Sequence, residues 1–280
     1  MGHRSGGVRL QGARYCRTEC LELALVEFLG RARPVSRRAA IASHRIPLGL
    51  LLLSRQQLTP AQLRTALRAQ RVASRGKGKS KGESGNAKEK KIGIWLQELG
   101  YATEQQVTAA LACQWSCPVL RSGPGVLGSG RFSPIPFSSI PVLLMESFQM
   151  MPVELVESTG TLLIAFSEGV DYTLLYAIEQ MLGYRTEACL VSPHTLQKSL
   201  QAQARHQGST DVVFDRVEDL GECAHIIGNY SAKIKAEEVR LARCGEHLWI
   251  RLERLRHEAV NLVLRVPAAA TSQFSVSSSQ

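Results

Sequence analysis

Seven cysteines, seven histidines and a scatter of carboxylates are the groups in this sequence able to do chemistry, and their spacing is the first test of it. Cys16 with Cys20, and Cys113 with Cys117, stand as two C-x3-C pairs that together could give zinc a four-thiolate site. The flanks lack the tight turns of zinc knuckles, so the pattern reads as buried free thiols in a reducing compartment. The histidines form neither H-x-x-x-H nor H-E-x-x-H. Cys223 and His225 share a helical stretch but project in different directions, which rules out a nucleophile–base pair by themselves. Glu154 with Glu157, and Glu168 with Asp171, suit solvated hairpin and cap positions better than acid–base pairs. Residues 73–80 approximate a phosphate-binding loop but begin on Ala73 and follow no strand. Gly123, Gly125 and Gly128 fit G-x-G-x-x-G, yet Pro124 and the missing βαβ context leave a Gly-rich loop. No catalytic set survives, and the sequence reads as a non-enzyme.

Charge narrows the partners. The net charge of +10 is carried by residues 1–45, which hold nine arginines against Glu19, Glu22 and Glu27, and by residues 71–91, each segment at net +6. The rest is close to neutral, whereas a nucleic-acid-binding fold places its Lys and Arg on a structured face. Binding of nucleic acid through leader and linker is therefore the weakest of three readings. The longest apolar run, 48–53, is far short of the roughly 20 residues a spanning helix needs, so the expectation is a cytoplasmic protein with no membrane span.

The clearest organising feature of the chain is an internal repeat. Residues 47–70 align without gaps to 91–114, with seven of 24 positions identical: Gly49/Gly93, Leu52/Leu96, Thr59/Thr103, Gln62/Gln106, Ala66/Ala110, Leu67/Leu111 and Gln70/Gln114. Ordinary composition gives about one or two matches by chance. Each copy reads as a short helix, a break at Gln56 or Gly100, then a second helix capped by Thr59 or Thr103 with Gln62 or Gln106 completing a capping box. The fold class expected is α+β: a duplicated helical hairpin, or four-helix unit, over 46–118 with a flexible linker at 71–90, then an α+β subdomain over 134–206. A C-terminal helix plus β-meander over 210–266 and a disordered tail at 267–280 follow. The basic leader, 1–45, is expected to be disordered, a flexible extension or an over-long start of the reading frame.

The doubled unit resembles the N-terminal domain of type II secretion and type IV pilus assembly ATPases, the general secretion pathway protein E family. That pattern runs Arg-Leu-Gly, paired aliphatics, a Gly, then Leu, Ala-Leu and a closing Gln. Leu48, Gly49, Leu52, Leu53, Leu58, Leu63, Leu67 and Gln70 keep it in the first copy, and Ile92, Gly93, Leu96, Gly100, Val107, Leu111 and Gln114 in the second. The likeness covers about 45–205, without the ATPase domain of the family. It implies a regulatory, non-catalytic module that docks a protein partner, such as a secretion or pilus component, and needs no cofactor. It also implies an alternative, a cyclic di-GMP receptor, whose ligand positions would be Gly49, Gln70, Lys91, Gly93, Gly100 and Gln114. The sequence departs from the family where Pro47 and Lys91 replace the arginines and Gln56 replaces the first mid-motif Gly. Arg45 lies two residues out of register.

Overall fold

The computed structural model describes residues 7–31, 45–76, 90–120, 139–206, 211–255 and 257–266. Mixed helix and strand are distributed over three apolar clusters.

The smallest cluster is helical. Helices α2 (Leu48–Ser54), α3 (Pro60–Gly76), α4 (Ile92–Glu98) and α5 (Glu104–Trp115) surround Leu52, Ala66, Leu96 and Ala110, each shut off from solvent. Their packing is crosswise, α2 against α5 and α3 against α4, with α2 and α4 also touching. Helix α3 carries the chain through 71–76, a stretch expected to be linker; the rest of that segment, 77–89, lies outside the described residues.

The second cluster belongs to the α+β part. Helix α6 (Val142–Phe148) leads into strand β3 (Met150–Val156), which pairs antiparallel with β4 (Thr161–Phe166). Helix α7 (Tyr172–Leu182) then crosses to β5 (Arg185–Leu190), parallel to β4, and α8 (Pro193–His206) follows. Asp171 caps α7 by accepting from Thr173 and Leu174 N–H at 3.1 Å, and Gly183 ends it at φ +78°. After α5 the chain runs beside β5, with Leu120 N–H donating to Leu190 C=O at 2.7 Å.

The third cluster corrects the reading of the leader. Residues 7–31 are not an unstructured extension: β1 (Val8–Leu10) and β2 (Ala13–Tyr15) form a hairpin, and α1 (Thr18–Arg31) buries Leu21, Leu25 and Leu29. Strands β6 (Val212–Phe214), β7 (Glu238–Cys244), β8 (His247–Arg254) and β9 (His257–Arg265) complete a six-stranded sheet in the order β2-β1-β7-β8-β9-β6. The leader folds because β1 finds a parallel partner in β7, while the apolar stripe of α1 finds α9 (Leu220–Ile234). Gly228 of α9 permits that approach, since a Cβ there would stand 2.6 Å from Glu22 Oε1. Residues 1–6, 32–44 and the tail 267–280 lie outside the described residues.

The opposite face of this sheet gives Trp249, Val263 and Cys244 to the α+β cluster. A buried polar chain fixes the contact: Trp249 Nε1 donates to Asn261 Oδ1, and Asn261 Nδ2 donates to Asp211 Oδ1, each at 3.1 Å. The other oxygen of Asp211 accepts the Val142 N–H that opens α6. Satisfied buried networks of this kind specify one arrangement of the packed layers.

Candidate functional site

The site is built from the short helices and the segments that lead into them. Positions 44 apart in the sequence take matching geometry. Thr103 Oγ1 accepts from Gln106 N–H while Gln106 Oε1 accepts from Thr103 N–H, at 3.2 and 2.8 Å; Thr59 and Gln62 repeat the exchange at 3.3 and 2.9 Å. Gly100 follows α4 at φ +68°, and Gln56 follows α2 at φ +57°. Both positions are left-handed, so glycine fits one without strain and a Cβ is carried at the other.

The residues singled out by the resemblance are largely engaged within the helices. A Cβ on Gly49 would stand 2.7 Å from Leu63, and one on Gly93 would stand 3.1 Å from Val107 and 3.2 Å from Leu48. Those glycines let α2 and α4 seat against their neighbours. Gln70 Nε2 donates to Lys90 C=O at 3.0 Å, and Gln114 Nε2 donates to Ile46 C=O at 2.7 Å. Gln114, at the end of α5, ties that helix to the entry of α2, and Gln70, within α3, ties it to the entry of α4. Lys91 turns to the α+β part, where Nζ meets Glu168 Oε2 at 2.9 Å and the Glu168 carbonyl at 3.3 Å. The structure brings Lys91 and Gln114 to the joint between the helices and the α+β part, and leaves Gly49 and Gly93 inside the helical packing.

At that joint sits a cluster the sequence patterns did not bring together. Gly169, at φ +130°, lies so close to Trp115 that a Cβ would stand 2.8 Å from the indole. The Arg45 guanidinium is stacked on the same ring, 3.2 Å from its centroid, and 5.8 Å from the Tyr172 ring. Tyr172 is tilted against Trp115 with centroids 6.1 Å apart. Arg45 Nη1 is closed off from solvent and meets no acceptor among the described residues. Burial pushes the neighbouring Cys117 thiol up, with Arg45 opposing it, so the thiol stays protonated at neutral pH. Arg45, Ile46, Gln114, Trp115 and Tyr172 line an open cleft between the helical and α+β parts. The signal for it was Arg45 beside the first motif and Trp115 directly after the second closing Gln.

Cys16, Cys20 and Cys113 are exposed rather than buried, while Cys189, Cys223 and Cys244 lie in the interior. No group of three or more His, Cys, Asp or Glu among the described residues is placed to hold a metal ion. No helix among them is long and apolar enough to cross a membrane. The Gly-rich loop at 123–128 lies outside the described residues, and 73–76 form the end of α3.

No protein-family model and no curated protein matches the sequence. Among solved structures the chain is similar to the N-terminal domain of XpsE, at 15% identity and a TM-score of 0.38 over 55% of this chain and 91% of that one. A second crystal form of that domain gives 17% identity and a TM-score of 0.32, over 54% and 89% of the two chains. It is also similar to MshE with cdg, at 23% identity and a TM-score of 0.43 over 57% of this chain and 99% of that one.

Proposed function

We propose that the chain is a non-catalytic docking module. Helices α2–α5, a duplicated helical hairpin, present the outer side of α2 and α4 to a protein partner from a secretion or pilus apparatus. The observation that carries this reading is how the motif residues are spent. Gln70 and Gln114 brace main-chain carbonyls, Lys91 pairs with Glu168, and Gly49 and Gly93 seat helices. Among the side chains left outside are aliphatic ones: Ile46, just before α2, and Leu50 and Ile94 are 57%, 51% and 39% exposed, and positions 50 and 94 correspond in the repeat. An apolar helical face is what a hydrophobic groove takes up in helix-mediated recognition.

The test is photo-crosslinking from position 50 or 94 in cells that express the full chain. A discrete adduct, lost in a Leu50→Asp/Ile94→Asp variant of unchanged melting temperature, supports the reading. Equal labelling of many proteins, or ATP hydrolysis by the purified chain that a point substitution abolishes, would sink it.

A second reading, a cyclic di-GMP receptor, is favoured by the Arg45–Trp115 stack beside Gln114 and Tyr172, since a guanidinium held flat on an indole can stack its other face on a guanine. Calorimetric titration of the full chain with cyclic di-GMP, with Lys91→Ala in parallel, decides it. Saturable heat abolished by the substitution supports the receptor, and no heat rejects it. Lys91 is the better probe because Gly93→Ala would press on Val107 and Leu48 whatever the ligand does.

A further inference from the structure

Between the last turn of α1, the amino end of α9 and strands β7 and β8, an apolar pocket opens to the surface. Phe28, Leu29, Leu220, Leu241, Leu248 and Val266 line it, and Arg243 completes its wall. Of the arginines in this sheet, Arg14, Arg243 and Arg254 have no carboxylate partner among the described residues, and of these three Arg243 lines the pocket. Arg9 and Arg240 pair with Glu238, Arg251 with Glu253, and Arg265 with Glu246. Arg243 has no carboxylate among the described residues, and its one hydrogen bond there is a long 3.5 Å contact from Nε to the Gly245 carbonyl.

The surroundings do not neutralise it. Cys223 on α9 shares this side of the sheet, but burial pushes that thiol up to about 11, so it stays uncharged. Asp219 and Glu222, the acidic groups facing Cys223, are occupied in capping. Asp219 Oδ1 accepts from Glu222 N–H and Glu222 Oε2 accepts from Glu218 N–H, each at 2.7 Å. Burial also draws Arg243 below its ordinary value, and Cys223 offsets this only in part. A half-buried charge without a partner is costly, and so is a wetted aliphatic pocket.

One ligand chemistry relieves both. We propose that the pocket binds a medium-chain aliphatic carboxylate, its chain among Phe28, Leu220, Leu248 and Val266 and its head group on the Arg243 guanidinium. A carboxylate matches the planar fork of that guanidinium, and the methylenes gain affinity by leaving water. This site draws on a different apolar cluster from the docking face and does not rest on that reading.

The experiment is calorimetric titration of the full chain with octanoate, hexanoate and octan-1-ol. Octanoate should bind more tightly than hexanoate by about fourfold per methylene. Octan-1-ol, with the same chain and no charge, should bind at least about tenfold more weakly. Arg243→Gln should bring the acid and the alcohol to the same affinity without abolishing either. The comparison of acid with alcohol needs no variant, so it stands even if Arg243→Gln fails to fold. Equal affinities of acid and alcohol for the unaltered chain, or no heat from octanoate, would overturn the proposal. So would an Arg243→Gln variant that binds octanoate as before.

Discussion

The side-chain amide of Gln114 donates to the main-chain carbonyl of Ile46 across 2.7 Å, tying the end of α5 to the entry of α2. Gln70 holds Lys90 in the same way at 3.0 Å. Both bonds face solvent, so each is modest. Gln114→Leu and Gln70→Leu should each cost about 1 kcal/mol in urea denaturation, and the double variant about the sum. A loss at one position only would show that the two braces are not equivalent.

Gly100 and Gln56 occupy the same left-handed corner with opposite consequences. Gly100→Ala should destabilise by about 1 kcal/mol, and Gln56→Gly should be neutral or stabilising by a few tenths to about 1 kcal/mol. Thermal midpoints are the readout: that of Gly100→Ala should fall and that of Gln56→Gly should not.

Trp115 lies flat between Gly169 and Arg45, and the two faces are not equally demanding. Gly169→Ala meets a rigid indole at 2.8 Å from a backbone at φ +130°, and should cost about 3 kcal/mol. Arg45→Ala removes a cation from the outer face and should cost only about 0.5–1 kcal/mol. Chemical denaturation of both variants checks the order, which would reverse if the stack rather than the close packing held the joint.

The interior thiols make stability fall at high pH. Burial pushes Cys189 up to about 12 and Cys223 up to about 11, from an ordinary 9.0. Above pH 9 the unfolded chain releases protons that the folded chain retains. The contribution is fully present below pH 9 and lost as pH rises through 11 to 12. The slope should be about 1.4 kcal/mol per pH unit for each thiol. Denaturant midpoints at rising pH, with Cys189→Ala removing part of the slope, test this.

Features written within a few neighbouring residues were legible in the sequence. The Thr103–Gln106 box, the Asp171 cap and Gly183 stop of α7, and the alternation of Leu248, Ile250 and Leu252 in β8 all depend on local spacing. The pairing of β1 with β7 was not legible. A three-residue strand is too short to show alternation, and parallel partners from opposite ends of a chain leave no local mark. The spacing of four in Leu21, Leu25 and Leu29 marks an apolar stripe on α1, but nothing near it in the sequence shows that α9 is what covers it. The joint escaped for a related reason: Arg45, Trp115, Gly169 and Tyr172 come from separate segments and meet only once the helices dock.

The parallel pairing of β1 with β7 sets Leu10 beside Val239. During synthesis the amino-terminal segment therefore leaves the ribosome long before its partner strand or α9 exists. The helical part between can complete its own core first, while residues 7–31 settle only once β7 and α9 have been made. Until then the stripe of Leu21, Leu25 and Leu29 faces water, and chains stalled before β7 should be the ones that aggregate or recruit a chaperone.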